Sequence, residues 1–136
     1  MNIRGRRAED SEAVRGLLET GGLPSKGLER SIGWIAEENG GIISHIALEE
    51  ADGAVVLRSL ATAPAAQGRG AARQLMDIAE AYAGNRTILL RTKTVGPWVF
   101  RRGYALIAPD QVPAGARSTS EFEESMCSGY PIYRKS

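Results

Sequence analysis

The apolar positions of the chain follow two different periods, and the change from one to the other separates predicted helices from predicted strands. Residues 8–20 carry four apolar side chains on one helical face, which predicts an amphipathic helix ending at two glycines. Residues 33–38 and 41–50 are strand-like runs, separated by the dipeptide Asn39-Gly40 that is typical of a type I′ turn. These two runs predict a β-hairpin. The apolar residues of the helical face are Ala13, Val14, Leu17 and Leu18.

The longest continuous pattern runs from a strand through a glycine loop into a second helix. Residues 55–62 are mostly apolar and predict a buried strand, which ends before Pro64. Gly68 and Gly70 then precede an apolar pattern at helical spacing. Backbone N–H groups of such a loop and of the first helical turn form a cluster of donors at the positive end of the helix dipole, which predicts an anion site. The side chains that add donors around it are Gln67, Arg69 and Arg73.

Short elements lie on either side of this stretch. Residues 2–4 predict a first strand, and residues 25–31 predict a short helix that Gly27 weakens. Residues 87–92 predict a buried strand that runs parallel to 55–62, because a helix connects the two. The later elements are, in order, a helix at 95–102, a strand at 104–108, a helix at 113–122 and a last edge strand at 130–134.

Together the elements predict an α/β (α+β) fold around a mixed central sheet of about six to seven strands. Strands two, three and four are expected to form an antiparallel meander, strands four and five to pair in parallel, and about four helices to cover both faces. The chain has 136 residues, of which 43% are hydrophobic and 24% charged. This length and composition predict a single globular domain over 1–136.

Composition and charge argue against several classes of function. No apolar run approaches the ~20 residues that span a bilayer, and the N-terminus lacks the apolar segment of a signal peptide, so we expect a cytoplasmic protein without a membrane partner. The net charge is +1, and the densest arginine groups are not interleaved with aromatic residues, which argues against a nucleic-acid partner. The single cysteine, Cys127, agrees with a reducing compartment and is predicted to have no catalytic role. No bound metal is expected.

Three kinds of phosphate-binding loop compete to explain the glycine stretch, and a plain turn at a helix N-terminus is the alternative to all three. A Walker loop needs Gly-Lys-Ser/Thr, but Ala71 follows Gly70. A dinucleotide fingerprint needs glycine where Arg73 stands. In the third pattern, Gln/Arg-x-x-Gly-x-Gly/Ala, the chain places Gln67, Gly70 and Ala72 in register. This stretch resembles the pyrophosphate loop of the GNAT family of N-acetyltransferases.

The resemblance to the GNAT family extends along the whole chain. The predicted order of elements matches the family's fold, and residues 98–104 (WVFRRGY) resemble its aromatic-rich helix before a Gly-aromatic step. The resemblance implies that acetyl-CoA is the co-substrate and that its acetyl group passes to the amine of a small-molecule acceptor. It also implies a bulge between the fourth and fifth strands, where backbone pairs with the pantetheine arm and an exposed N–H polarises the thioester. The implied cofactor-binding residues are Leu60, Ala61, Thr62, Gln67, Gly68, Arg69, Gly70, Ala71 and Ala72.

Two further stretches resemble the acetyltransferases found with arsenic-resistance genes. They are residues 57–60 of the fourth strand and the motif Arg-x-Thr-x-Glu-Phe that begins at Arg117. The chain departs from this subgroup at Ala72, where glycine is usual, and around Cys127, where a Cys-Pro is absent. The subgroup implies an amino-acid-like acceptor, with arsenic-containing and phosphinic analogues among the candidates. The small loop region after the first helix also suggests, by resemblance, a small acceptor.

Proton transfer is the part of the chemistry for which the family's usual residues are absent. The position of a glutamate base in some relatives is Leu57 here, and the position of a frequent tyrosine acid is Val99. Alternation along the third strand places Glu49 on the same face as His45, so Glu49 is the candidate base, acting through a water. The alternative is that Glu49 is a solvated residue at a hairpin end. Tyr104 is the candidate acid, with Tyr130, Tyr133 and solvent as alternatives.

The candidate acceptor-binding residues are Arg58, Arg117 and His45. Arg58 interrupts an apolar strand, which is unfavourable unless the guanidinium is paired or faces a cleft. It is predicted to hold an acceptor carboxylate together with Arg117, and the alternative is a structural ion pair with a glutamate. His45 has the alternative role of a packed core histidine.

Two functions from different classes fit these residues. The first is a small-molecule N-acetyltransferase that uses acetyl-CoA. The second is a non-catalytic acyl-CoA-binding module that senses or regulates, suggested by the apolar residues at both proton-transfer positions. A homodimer is left open for either function.

Overall fold

A seven-stranded mixed sheet forms the centre of the computed structural model, which describes residues 1–123 and 129–136. The strands are β1 (Asn2–Gly5), β2 (Ile32–Glu38), β3 (Gly41–Ala51), β4 (Ala54–Thr62), β5 (Thr87–Arg91), β6 (Ala105–Ile107) and β7 (Ile132–Lys135). The helices are α1 (Ser11–Thr20), α2 (Ala71–Ala83), α3 (Gly96–Arg101), α4 (Ala114–Arg117) and α5 (Ser120–Glu123). Single 3₁₀ turns lie at Ala8–Asp10, Leu28–Arg30, Pro64–Ala66 and Pro109–Gln111.

The strands lie in the order β1-β2-β3-β4-β5-β7-β6. All neighbours are antiparallel except β4 and β5, which are parallel, so the predicted meander and the predicted parallel pair are both confirmed. The prediction that the last strand lies at an edge is wrong, because β7 lies between β5 and β6. Tyr133 of β7 pairs with Leu90 on one side and with Leu106 on the other. The buried strand β5 thereby gains a hydrogen-bonding neighbour on its far side.

Alternate residues along β4 point into two separate hydrophobic layers. Val55 and Leu57 pack in a cluster with Leu75 and Met76 of α2, and Val99 of α3 belongs to the same cluster. We call this side the α2 face. The neighbouring residues Ala54 and Val56 pack on the other side against Ala116 of α4. This second side also carries α1 and α5, and we call it the α1 face; its further cluster joins Val14 and Leu18 to Ile35 and Ala61.

Two predicted helices are shorter than expected. The predicted helix at 25–31 is a 3₁₀ turn over Leu28–Arg30, preceded by Gly27 in the left-handed region at φ 75°. The predicted helix at 113–122 is interrupted between α4 and α5. There Ser118 and Thr119 donate side-chain hydrogen bonds to the carbonyls of Gly115 and Ala116, at 3.1 and 2.7 Å. Hydroxyls that bond to local carbonyls in this way compete with continued helix.

Within 1–123 and 129–136, no helix is long and apolar enough to cross a membrane. Over the same residues, no group of three or more His, Cys, Asp or Glu side chains is arranged to hold a metal ion.

Candidate active site

The parallel strands β4 and β5 separate partway along their length. They pair only at Ala54, Val55 and Val56, opposite residues 87–89. Beyond Val56 the two strands diverge, and a cleft of about 660 Å³ opens between them. The remainder of β4, from Leu57 to Thr62, lines this cleft. A strand edge without a neighbouring strand offers backbone donors and acceptors to an extended ligand.

A β-bulge in β4 lies where the strands have separated. His45 of β3 pairs with Ala61, and Ala47 pairs with Arg58, so the two residues Ser59 and Leu60 lie opposite the single residue 46. The bulge is therefore formed by β4 against β3, on the strand that borders the cleft. Ser59 adopts φ 58°, in the left-handed region. For a residue other than glycine this conformation costs on the order of 1–3 kcal/mol and persists only where its surroundings hold it.

Two side chains hold Ser59 in this conformation. Nδ1 of His45 lies 2.9 Å from the Ser59 carbonyl oxygen, and Nε of Arg58 donates to the Ser59 hydroxyl at 2.9 Å. His45 is fully buried and Arg58 is 5% exposed, so both partners of Ser59 are largely shielded from solvent. His45 therefore holds the main chain of Ser59, and Arg58 holds its side chain.

The glycine loop forms the other wall of the cleft at the beginning of α2. Gly68 and Gly70 adopt φ 82° and 87°, which require glycine or strain. Gly70 is the N-cap residue of α2 and has no side chain that could accept from the first-turn N–H groups. A Cβ at Gly68 would meet nothing within 4 Å, so open space borders the loop. The loop thus presents uncapped backbone donors to the cleft at the positive end of the helix dipole.

All but one of the predicted loop residues line the cleft. The predicted residues Gln67, Gly68, Gly70, Ala71 and Ala72 line the cleft. By contrast, the Arg69 side chain forms an ion pair with Glu38 of β2, at 2.7 Å, and is 49% exposed.

The cleft passes through the sheet and opens on both faces. On the α2 face it is lined by Met76 of α2 and by Trp98 and Val99 of α3, beside the glycine loop. On the α1 face it is lined by the segment 21–24, by Arg58 and Arg91, and by Glu121 of α5. A co-substrate and an acceptor can therefore reach the bulge from opposite sides.

The predicted base Glu49 lies in a buried cluster beside the cleft rather than on its wall. Its carboxylate accepts hydrogen bonds from the Ser120 backbone N–H, at 3.1 and 3.2 Å, and from the Ser120 hydroxyl. Nη1 of Arg58 lies 3.4 Å away, and the Arg58 and Glu49 side chains are 1% and 6% exposed. Glu49 is therefore not the solvated hairpin residue that was the alternative. Its role as a base stays a prediction.

The guanidinium of Arg58 uses its donors inside the protein. Nη1 donates to the carbonyl of Lys26 at 2.6 Å and to the Ser120 hydroxyl at 2.5 Å, and Nη2 lies 3.4 Å from the Pro24 carbonyl. Arg58 thus ties the loop after α1 and the beginning of α5 to β4. This is the structural ion-pair arrangement considered as the alternative to carboxylate binding, and carboxylate binding by Arg58 stays a prediction.

The other predicted site residues lie away from the cleft. The Arg117 side chain is exposed and donates to the Val112 carbonyl at 3.1 Å. The Tyr104 hydroxyl donates to Glu80 at 2.8 Å in the α2-face core. Burial, together with the Glu80 carboxylate, raises the pKa of Tyr104 well above its ordinary value, which disfavours proton donation near neutral pH. Cys127 lies outside the described residues.

Two cleft residues, Glu121 and Lys93, were not among the site residues predicted from the sequence. Glu121 lines the cleft on the α1 face and is 6% exposed. Lys93 follows β5 and places its ammonium 5.9 Å from the ring centre of Tyr130, and both residues line the cleft. Glu121 was part of the Arg-x-Thr-x-Glu-Phe motif, which is the signal that points to it. For Lys93 the sequence has no comparable signal.

Solved structures resemble this fold along most of the chain. A structure of Rv2747 from Mycobacterium tuberculosis, in complex with CoA and NLQ, has 18% identity and a TM-score of 0.77, and the match covers 98% of each chain. N-acetylglutamate synthase from Neisseria gonorrhoeae, with coenzyme A and L-arginine, has 19% identity and a TM-score of 0.77; the match covers 98% of this chain but 32% of that one. A GNAT family acetyltransferase from Brucella melitensis, in complex with acetyl-CoA, has 22% identity and a TM-score of 0.62, covering 79% and 82% of the two chains.

No curated protein matches the chain, but a family model does. Membership of the arsenic-resistance subgroup stays a prediction. Residues 29–105 match the family model described as an acetyltransferase (GNAT) domain, which is more than half of the 136-residue chain. Together with the separated β4 and β5, the bulge and the glycine loop, this match shows that the chain belongs to the GNAT family of acetyltransferases.

Proposed function

We propose that this protein transfers an acetyl group from acetyl-CoA to the amine of a small, amino-acid-like acceptor. The observation that carries the proposal is the continuous cleft between β4 and β5, which is lined by both the glycine loop and the Ser59 bulge. Family membership supports the same reaction.

The cleft residues fit acetyl-CoA at two places. The uncapped N–H groups of the loop and of the first turn of α2 suit a pyrophosphate, since they are donors at a positive helix end. The unpaired edge of β4 over residues 60–62 suits the amides of a pantetheine arm. When bound, acetyl-CoA supplies an activated acetyl thioester. The chain's own contribution is to orient it and to place a backbone donor where negative charge develops.

The acceptor is assigned to the mouth of the cleft on the α1 face. Among the residues that the structure describes, Glu121 is the carboxylate that lines this mouth, and a carboxylate can receive the proton of an ammonium. Lys93 is an exposed cation on the same cleft, which suits an acceptor carrying a carboxylate or a similar acidic group. The cleft therefore suits an amine that also carries an acidic group.

Thiol release from acetyl-CoA tests the proposed function directly. We expect turnover with a panel of amino acids, and faster turnover with each amino acid than with its decarboxylated amine. Equal rates for the two members of each pair would contradict the amino-acid-like acceptor. Calorimetry on the same sample measures CoA affinity. Tight CoA binding without thiol release for any amine would contradict the enzyme and favour the acyl-CoA-binding module.

Replacing the carboxylate of Glu121 tests the acceptor mouth. Glu121→Gln is expected to lower kcat by ~10²-fold at neutral pH, the usual scale for loss of a positioned base. The deficit should shrink at higher pH, because more of the acceptor amine is then already neutral. Glu50→Gln is the matched control, since Glu50 is 46% exposed and ion-paired to Arg86 outside the cleft. A ratio to wild type that stays flat across pH, or that equals the control's, would remove Glu121 from proton transfer.

A further inference from the structure

A partly buried chain of hydrogen bonds leads from the N-terminal segment to the bulge. Nη1 of Arg6 lies 2.9 Å from Nε2 of His45, and Nδ1 of His45 lies 2.9 Å from the Ser59 carbonyl oxygen. Arg6 is held in turn by the carbonyls of Leu28 and Ser31, at 3.1 and 2.7 Å. The ring of His45 does not line the cleft, although the carbonyl it contacts belongs to a cleft residue.

The partners of His45 determine its tautomer. A guanidinium can only donate, so Nε2 of His45 must accept from Arg6 and the ring proton must lie on Nδ1. The Nδ1–H therefore donates to the Ser59 carbonyl. Burial lowers the pKa of His45 to about 4, opposed by the bond to Ser59 and assisted by the charges of Arg6 and Arg58. The ring is therefore neutral near pH 7, with Nδ1 as a donor and Nε2 as an acceptor.

The direction of the Ser59 carbonyl decides the direction of the next N–H. The peptide between Ser59 and Leu60 is trans, so its C=O and N–H point in opposite directions. Because the Ser59 carbonyl points to the His45 ring, the Leu60 N–H points away from that ring. Leu60 itself lines the cleft, into which we infer that this N–H is directed.

Space for this arrangement depends on a glycine in β2. A Cβ at Gly33 would lie 2.5 Å from Nη1 of Arg6 and 3.0 Å from Nε2 of His45. Gly33 thus allows the guanidinium and the imidazole to meet beside the sheet. The contact between Arg6 and His45 thus depends on the N-terminal segment, on β2 and on β3. His45 in turn contacts Ser59 in the bulge.

We propose that His45 is a positioning residue for acyl transfer, which holds the Ser59–Leu60 peptide so that the Leu60 N–H donates into the cleft at the site of the reacting carbonyl. The proposal rests on the proposed function. It assigns His45 a role through the backbone and not through contact with the acceptor.

Two polar variants of His45 distinguish the roles of its two ring nitrogens. His45→Asn keeps an N–H donor near the position of Nδ1, whereas His45→Gln places its amide near the position of Nε2 and loses the donor to Ser59. We expect His45→Gln to lower kcat by ~10²-fold, the scale for loss of an oxyanion donor, with the KM for acetyl-CoA nearly unchanged. His45→Asn should keep kcat within about tenfold of wild type. Equal kcat values for the two folded variants would overturn the proposal.

The infrared stretch of the thioester carbonyl in bound, ¹³C-labelled acetyl-CoA gives a readout that does not need turnover. Polarisation by the Leu60 N–H should lower this frequency in wild type and in His45→Asn relative to free acetyl-CoA. The shift should be lost in His45→Gln. An unshifted frequency in the wild-type complex overturns the proposal even where a variant fails to fold. A wild type that shows the shift but releases no thiol with any amine contradicts the proposed function and leaves the assignment of His45 standing.

Discussion

Glu49→Gln is expected to destabilise the fold by about 3–5 kcal/mol, the usual cost of removing one partner from a buried ion pair. The Arg58 and Glu49 side chains are 1% and 6% exposed, so solvent cannot compensate the charge that remains on Arg58. The carboxylate also accepts from the backbone N–H and the hydroxyl of Ser120. An amide offers one acceptor oxygen instead of two. Because a domain of this size is stable by roughly 5–15 kcal/mol, the loss is a large part of the total.

Thermal unfolding by circular dichroism measures this effect. A loss of that size corresponds to a fall in Tm of roughly 10–20 °C. Glu50→Gln is the matched control one residue along, because its partner Arg86 and Glu50 are 33% and 46% exposed. An exposed pair of this kind contributes at most about 1 kcal/mol. Equal Tm values for the two variants would contradict a structural role for Glu49.

The same variant tests the prediction of Glu49 as a base. Activity is measured at a temperature where the variant is folded, over a range of pH. A deficit in kcat that shrinks as pH rises would support the base. A ratio to wild type that does not change with pH, together with the fall in Tm, would assign Glu49 to the structural cluster alone.

Gly70→Val is expected to weaken CoA binding severely. Gly70 adopts φ 87° at the N-cap of α2, where a branched side chain is strained and lies where phosphate oxygens would approach the backbone. Each hydrogen bond to a charged group that is lost costs about 1.5–3 kcal/mol, which corresponds to roughly 10- to 100-fold in affinity. Gln67→Ala should lose much less, because the backbone supplies most of the donors. Calorimetry with CoA measures both.

A substitution at a second glycine distinguishes the effect of backbone strain from the effect of lost ligand contact. Gly53 also has a positive φ, 72°, in the turn between β3 and β4, and it is not among the cleft residues. Gly53→Val should therefore lose stability, as Gly70→Val does, and keep CoA affinity. Equal losses of CoA affinity in the folded Gly70→Val, Gln67→Ala and Gly53→Val variants would contradict the anion site.

The sequence predicted the elements that depend on local chemistry. The hairpin at Asn39-Gly40, the strand over 55–62, the glycine loop and the helix after it all follow from residues close together in the chain. The parallel pairing of β4 and β5 also followed, because a helix between two strands requires it. These features carry the resemblance to the GNAT family, and the family model confirms it.

The position of β7 and the contacts of the polar residues were decided by the tertiary structure. The strand pattern at 130–134 does not specify its neighbours, and only long-range pairing places β7 between β5 and β6. Alternation correctly placed His45 and Glu49 on one face of β3, but their partners lie far along the chain. Ser120 is 71 residues from Glu49, and the Ser59 carbonyl is 14 residues from His45.

The sequence by itself thus determined where the co-substrate loop lies and which strands flank it, because glycine, proline and hydrophobic periodicity act on neighbouring residues. Only the tertiary structure decided which polar side chains face the cleft and which are enclosed. Arg58 interrupts an apolar strand in either case, and its sequence neighbours do not reveal whether a ligand or Glu49 compensates its charge. That choice depends on which distant carboxylate and carbonyl oxygens the fold brings within hydrogen-bonding distance, since a buried charge is stable only where such partners surround it.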